Sequence, residues 1–355
     1  MTTAFNPTRL DLARRRRGLT KIALAEAAGI SQVSLFTYSA RTRAPEPETL
    51  NRLADVLHFP PEFFFGPTLE EPPVSGASFR ALSRLTARLR EQTLAAGALA
   101  IALAQWIDER FTLQEPSIPE YPGVDPEEAA MAVRTEWGLG ERPVKNMIHR
   151  LESYGVRVFS LAEDTVAMDA FSCWIEDTPF IFLNTMKSVE RSRMDAAHEL
   201  GHLVLHRHHH SASGREAERE ADQFGASFLM PRGSVLANAP RHGRLQDIVK
   251  AKQYWAVSVA NLTYRMHKVG MLTDWQYRTL FGEISRHGYR SREPEAIRGE
   301  TSQVLAKVFA SLRDDGITMS HVAKNLRIYP DELNRSVFGL VLTLMVEERR
   351  LDSDL

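Results

Sequence analysis

The stretch from Met194 to His206, MDAAHELGHLVLH, restricts the fold more than any other part of the chain. His198 and His202 stand four positions apart, and on a helix that spacing turns both imidazoles to one side, where they can share an ion. Glu199 lies beside that face and is the candidate general base. It can take a proton from a water attacking a carbonyl carbon and return it to the leaving amine. His206 continues the ladder, but another turn carries it about 6 Å further along the axis. It is therefore expected to support the fold or to hydrogen-bond locally. His202 is followed by LVLH, without the glycine and distal histidine of an HExxHxxGxxH pattern.

Such a site takes a third protein ligand and keeps a fourth position open. Residues 214–231, GREAEREADQFGASFLMP, read as a second helix with Ala221, Phe224 and Phe228 as its apolar stripe. Glu218 and Asp222 share a different face, one turn apart. Helical geometry favours Glu218 as the third ligand over Glu220, which two residues of rotation turn away, and leaves Asp222 to orient a ligand imidazole. A His/His/Glu donor set suits Zn2+; Mn2+ and Fe2+ accept the same nitrogen and oxygen ligands. The adjacent His208, His209 and His210 are expected in a solvated loop.

Length and composition favour a multidomain chain over one small binding module. At 355 residues and 43% apolar composition it can fill two or three cores. A single cysteine, Cys173, allows neither an internal disulfide nor a cysteine-only metal cage. The start lacks the apolar run of a signal peptide, and no stretch of about 20 apolar residues occurs. The expectation is therefore a cytoplasmic protein with no membrane partner. The net charge of −1 hides an asymmetry: Met1 to Pro45 carries eight Arg and Lys against two acids. A nucleic-acid surface is thus expected near the N-terminus.

Residues 1–66 read as a helix-turn-helix domain, with Asn6 or Thr8, Thr20 and Ser31 as successive helix caps. Ser31, Gln32, Ser34 and Thr37 stand near the start of the second helix of the motif, where short polar chains reach base edges of double-stranded DNA. Arg41 and Arg43, with the run Arg14–Arg17, are candidates for phosphate contacts. Residues 67–78 are a proline-rich linker. Residues 79–235 form the domain that carries the metal site, opened by a long scaffold helix from about Phe79 to Phe111 and containing a strand and a short hairpin. Residues 236–290 are a small helical subdomain, and 291–355 a helical regulatory or dimerisation domain that makes a homodimer conceivable. The fold class is thus mainly α, with an α+β metal-binding domain that has a small sheet.

With these segments in view, the chain resembles the ImmA/IrrE metallopeptidases in their long form, which carries an Xre-type helix-turn-helix in front. The resemblance rests on LARRRRGLTKIALAEAAGISQVSLFTYSARTRAPEPETLNRLADVLHFPPEFF at the N-terminus. In the second half it rests on WGLGERPVKNMIHRLESYGVRVFSL, DAFSCWIEDTPFIFLN, RSRMDAAHELGHLVLH and EREADQFGASFLMP. It implies metal ligation by His198 and His202, catalysis by Glu199, and a gluzincin-like role for Glu218 with Ala221 and Asp222 in the same pattern. It also implies a zinc-dependent, site-specific endopeptidase coupled to transcriptional regulation, whose protein substrate is an Xre-type repressor in a stress response. The chain departs from many Xre-type domains in having Tyr38, Ser39 and Ala40 where tyrosine, glutamate and glycine are common. A rival expectation is a DNA-binding regulator whose metal is sensory or structural, without turnover; Glu199 beside an open coordination position argues for chemistry.

Overall fold

The structure, a computed structural model, describes residues 4–73, 85–161, 170–207 and 214–341. Helices α1 (Pro7–Arg16), α2 (Lys21–Ala27), α3 (Gln32–Ser39) and α4 (Pro47–Leu57) form the N-terminal domain, closed by a 3₁₀ turn over Pro61–Phe65. The side chains of Asn6, Thr20 and Ser31 each accept a backbone N–H at the start of the following helix, satisfying donors that a helix start otherwise leaves open. Leu24, Leu53, Leu57, Phe59, Phe63 and Phe64 fill the core between these helices.

The arginine run corrects the expectation drawn from charge alone. Arg14 binds Asp11 and the carbonyl of Leu19, and Arg15 pairs with Asp11 and Glu71. Arg16 and Arg17 converge on Glu332, more than 300 residues downstream. The run thus faces the rest of the protein, and its charge is spent on internal carboxylates instead of being presented to phosphate. Nor is the proline-rich segment a loose tether over its described part. Glu70 accepts a hydrogen bond from Gln105, and Pro72 presses on Gly97, where a Cβ would lie 2.7 Å from the proline ring.

Gly97 belongs to α5 (Ala87–Asp108), capped by Thr86. This is the scaffold helix expected from about Phe79 to Phe111: residues 79–84 lie outside the described part, and the helix ends at Asp108. After α6 (Pro126–Glu136) and α7 (Met147–Glu152) come β1 (Arg157–Ser160), β2 (Ala170–Ile175) and β3 (Thr178–Leu183). The sheet order is β1-β3-β2, with β1 parallel and β2 antiparallel to β3. Glu176 and Asp177 make the hairpin turn, Glu176 in the left-handed region at φ 51°. Alternation along β2 sends Phe171 toward α5 and Ser172 toward the helix on the other face.

That helix is α8 (Val189–Leu205), against which α9 (Gly214–Leu229) lies. The rest is helical: α10 (Arg232–Asn238), α11 (Leu245–Trp255), α12 (Val259–Lys268), α13 (Asp274–Arg286), α14 (Gln303–Asp314), α15 (Met319–Leu326) and α16 (Pro330–Val337). The charged connector after α13 holds α8 in place. The fully buried Lys252 ammonium lies 3.0 Å from Glu190 and 3.3 Å from Glu293, and Glu300 binds the buried Arg193. Finally α16 packs on both α5 and β1. The N-terminal helices, α5, the sheet and α8 therefore form successive layers, with α16 wedged among the first three. Among the described residues no helix is long and apolar enough to cross a membrane.

Glu332 is the point where this arrangement can be tested. Burial alone would raise its carboxyl, but Arg16 and Arg17 outweigh burial and hold it below the ordinary carboxylate value. A lowered pKa contributes stability that is present above the unfolded value and lost as pH falls through the folded one. Glu332→Ala, which removes the buried carboxylate on which Arg16 and Arg17 converge, is expected to lower unfolding free energy by about 3 kcal/mol. Urea denaturation at neutral pH measures this, and the difference from the native chain should shrink in acid.

Candidate metal centre

The α8 spacing does what the helical period requires. His198 and His202 point their Nε2 atoms to one spot, 3.1 Å apart. Glu218, from α9, brings Oε1 to 3.5 Å from His202 Nε2, and the three ligand atoms all lie within 4.8 Å of one another. Ligands about 2.0–2.1 Å from a tetrahedral zinc are roughly 3.3–3.4 Å apart, so the donors are spaced for one ion.

The outer nitrogens show that both inner ones can act as ligands. His198 Nδ1 is 2.8 Å from Asp222 Oδ1; a carboxylate can only accept, so the proton sits on Nδ1 and the Nε2 lone pair faces inward. His202 Nδ1 lies 3.1 Å from His206 Nδ1, and His206 Nε2 lies 2.9 Å from Glu220. The consistent assignment puts one proton on His206 Nε2, donated to Glu220, and one on His202 Nδ1, donated to His206. Burial, aided by the neighbouring histidines, keeps His206 below its ordinary pKa, so its Nδ1 is available as the acceptor. His202 Nε2 and His198 Nε2 face each other at 3.1 Å with one proton or one metal ion between them, and with Glu218 alongside the donor set fits a divalent metal that displaces that proton. Glu220, the competitor for the third position, is engaged one turn away from the converging donors.

Two glycines allow the helices to come this close. A Cβ at Gly225 of α9 would lie 2.9 Å from the backbone nitrogen of His198, and one at Gly201 of α8 would lie 3.2 Å from Ala221 Cα. At Gly225 the contact is with backbone and shorter than real Cβ atoms show, so alanine there requires α8 and α9 to separate, whereas at Gly201 the neighbours must yield by a few tenths of an ångström. Phe224, stacked on Phe228 at 5.9 Å, lies against Gly201 of α8, and both rings are buried.

Glu199 is 2% exposed and turned toward the sheet. Ser172 of β2 donates to Glu199 Oε2 at 2.6 Å, anchoring the carboxylate beside the metal ligands. Spacing within the helix gave no hint of Ser172, which comes from a strand far upstream. Asp195, one turn before Glu199, is pushed up by burial to about 6. Beyond Ser172, Trp174 on the same strand lines a cavity of about 360 Å³ with Glu136, Asp177 and Arg207. His208–His210 lie outside the described residues.

Residues 151–267 match the model of the M78 peptidases, described as the IrrE N-terminal-like domain. The chain carries an IrrE/ImmA-like M78 peptidase domain. The metal-ligand cluster falls within its limits. A helix-turn-helix domain model matches residues 8–62, and no curated protein matches the chain. In that N-terminal domain the polar DNA candidates are partly occupied locally. Ser31 accepts from the Ser34 backbone, the two hydroxyls lie 2.8 Å apart, and Thr37 Oγ1 donates to the Ser34 carbonyl at 2.7 Å. Gln32 and Arg41 are exposed, while Arg43 pairs with Glu46 at 3.1 Å on the surface.

The M78 domain gives two expected outcomes. Burial disfavours charge on His198, but the hydrogen bond to Asp222 and the negative charges of Glu199, Asp222 and Glu218 outweigh it and raise its pKa to about 9. A metal must displace that proton, so zinc affinity should climb by about tenfold per pH unit below 9. Competition titration against a chelator at several pH values checks this slope, which Asp222→Asn should weaken. Gly225→Ala should leave a folded chain whose zinc affinity falls by about tenfold or more, as expected when support of a metal site is disturbed.

Proposed function

We propose that this protein is a zinc-dependent, site-specific endopeptidase coupled to transcriptional regulation, cleaving a protein of the Xre-type repressor class. The observation that carries the reading is Glu199, a carboxylate held by Ser172 immediately beside converging His198, His202 and Glu218. A purely structural metal site has no need of a positioned carboxylate next to an open coordination position. The match to the M78 peptidases supports the same choice, and the helix-turn-helix match supports DNA binding.

In this reading His198, His202 and Glu218 hold the metal, while Asp222 and His206 orient the two imidazoles. The bound metal supplies Lewis-acid polarisation of the scissile carbonyl and acidifies the attacking water. Glu199 accepts the water's proton on its carboxylate and delivers it to the departing amine nitrogen. Ser172 holds the carboxylate against the sheet through this transfer. Among the described residues β2 pairs only with β3, leaving an outer edge on which an extended substrate segment can hydrogen-bond. An unfolded loop or linker is then a better substrate than a folded surface. Arg207, stacked 3.7 Å over Trp174 and paired with Glu120 and Asp177, shapes the end of that edge.

The test separates binding from chemistry. Glu199→Gln should keep one metal per chain by elemental mass spectrometry yet cleave a peptide or repressor substrate at least about 100-fold more slowly. His202→Ala should lose both metal and cleavage. Cleavage by the Glu199→Gln chain at the native rate would refute the general-base assignment.

A further inference from the structure

Helix α3 exposes two apolar side chains that the polar reading of the recognition helix passes over. Val33 is 73% exposed and Phe36 67% exposed. Leu35 and Tyr38 anchor the opposite side of the helix in the core, so Val33 and Phe36, three positions apart, share the outward face. Single exposed apolar residues are ordinary. Here the pair occupies the face that a helix-turn-helix turns to the major groove, while Ser31, Ser34 and Thr37 spend hydroxyl hydrogen-bonding capacity within the helix. Gln32 is left as an exposed amide in the first turn.

The groove offers one apolar feature to such a surface, the 5-methyl group of thymine, and a glutamine amide pairs with the N6 and N7 edge of adenine. Lys21, Arg41, Arg43 and Arg52 are exposed on this domain and can meet phosphates, against exposed Glu26, Glu46 and Glu48. With Arg14–Arg17 turned inward, few cations remain for phosphate neutralisation, and base contacts must carry a larger share of the affinity. We propose that α3 selects A·T-containing sites by packing Val33 and Phe36 on thymine methyls, with Gln32 on an adjacent adenine. This rests on the DNA-binding part of the function proposed above and is independent of proteolysis.

The experiment uses the full native chain. Duplexes are selected from a random pool, and the tightest site is remade with each thymine replaced by deoxyuridine, which removes the methyl and nothing else. Affinity is expected to fall by about fourfold for each contacted methyl. Val33→Ser and Phe36→Ser, both at exposed positions, should bind the thymine site more weakly and lose the difference between thymine and uracil. Equal affinity of the native chain for both duplexes would overturn methyl readout while leaving DNA binding intact. Recovery of no duplex from the pool would overturn DNA binding itself. Self-association of the native chain that Phe36→Ser abolishes, without any duplex bound, would assign the face to a second copy and likewise reject the proposal.

Discussion

The close approach of α8 and α9 is the contact on which the rest depends. Two helices with ordinary side chains between them pack about 8–10 Å apart; Gly201 and Gly225 remove the Cβ atoms that would hold this pair off. The gain is positional. Histidines on one helix and a carboxylate on the other reach a common point, and the outer ring nitrogens meet Asp222 and His206 in the same step. Everything around the pair holds it. The sheet lies on one side of α8 and supplies Ser172, while Lys252 and Glu300 bind Glu190 and Arg193 in its first half.

In the proposed reading, metal ligation and proton transfer draw on different layers of the fold. The ligands and their hydrogen-bond partners come from α8 and α9, whereas the hydrogen bond on Glu199 comes from β2. In that reading a peptide laid along β2, which pairs only with β3 among the described residues, would pass beside the carboxylate. On the far side of the sheet, α5 carries α1, and α16 touches α5, β1 and, through Glu332, Arg16 and Arg17. The helix-turn-helix domain is thus fastened to the peptidase domain by packing and by a buried ion pair, so an event at either domain has a physical route to the other.

Much of the centre was legible from residue spacing. His198, His202, Glu218 and Asp222 obey the helical period within single segments, and the choice of Glu218 over Glu220 follows from two residues of rotation. Ser172 was not legible, because a serine in an apolar strand carries no mark of the helix it will meet. The two-histidine relay through His206 to Glu220 was only half visible, since its second link crosses between helices. The arginine run misled for the same reason on a larger scale: its partner Glu332 lies near the other end of the chain, and local charge density says nothing about such a contact. Val33 and Phe36 carry no local mark of facing outward, because apolar residues on a short helix are the ones a core ordinarily takes. The helix-turn-helix, small sheet and helical C-terminal region agree with the expected fold class.

The central claim is that one divalent ion is held by His198, His202 and Glu218. Zinc-edge X-ray absorption on tag-free protein loaded with one equivalent of zinc tests it most directly. Two imidazole nitrogens and one carboxylate oxygen are expected at about 2.0–2.1 Å, with at least one further light atom completing the coordination. A zinc environment without two imidazoles, or one containing sulfur from Cys173, would contradict it.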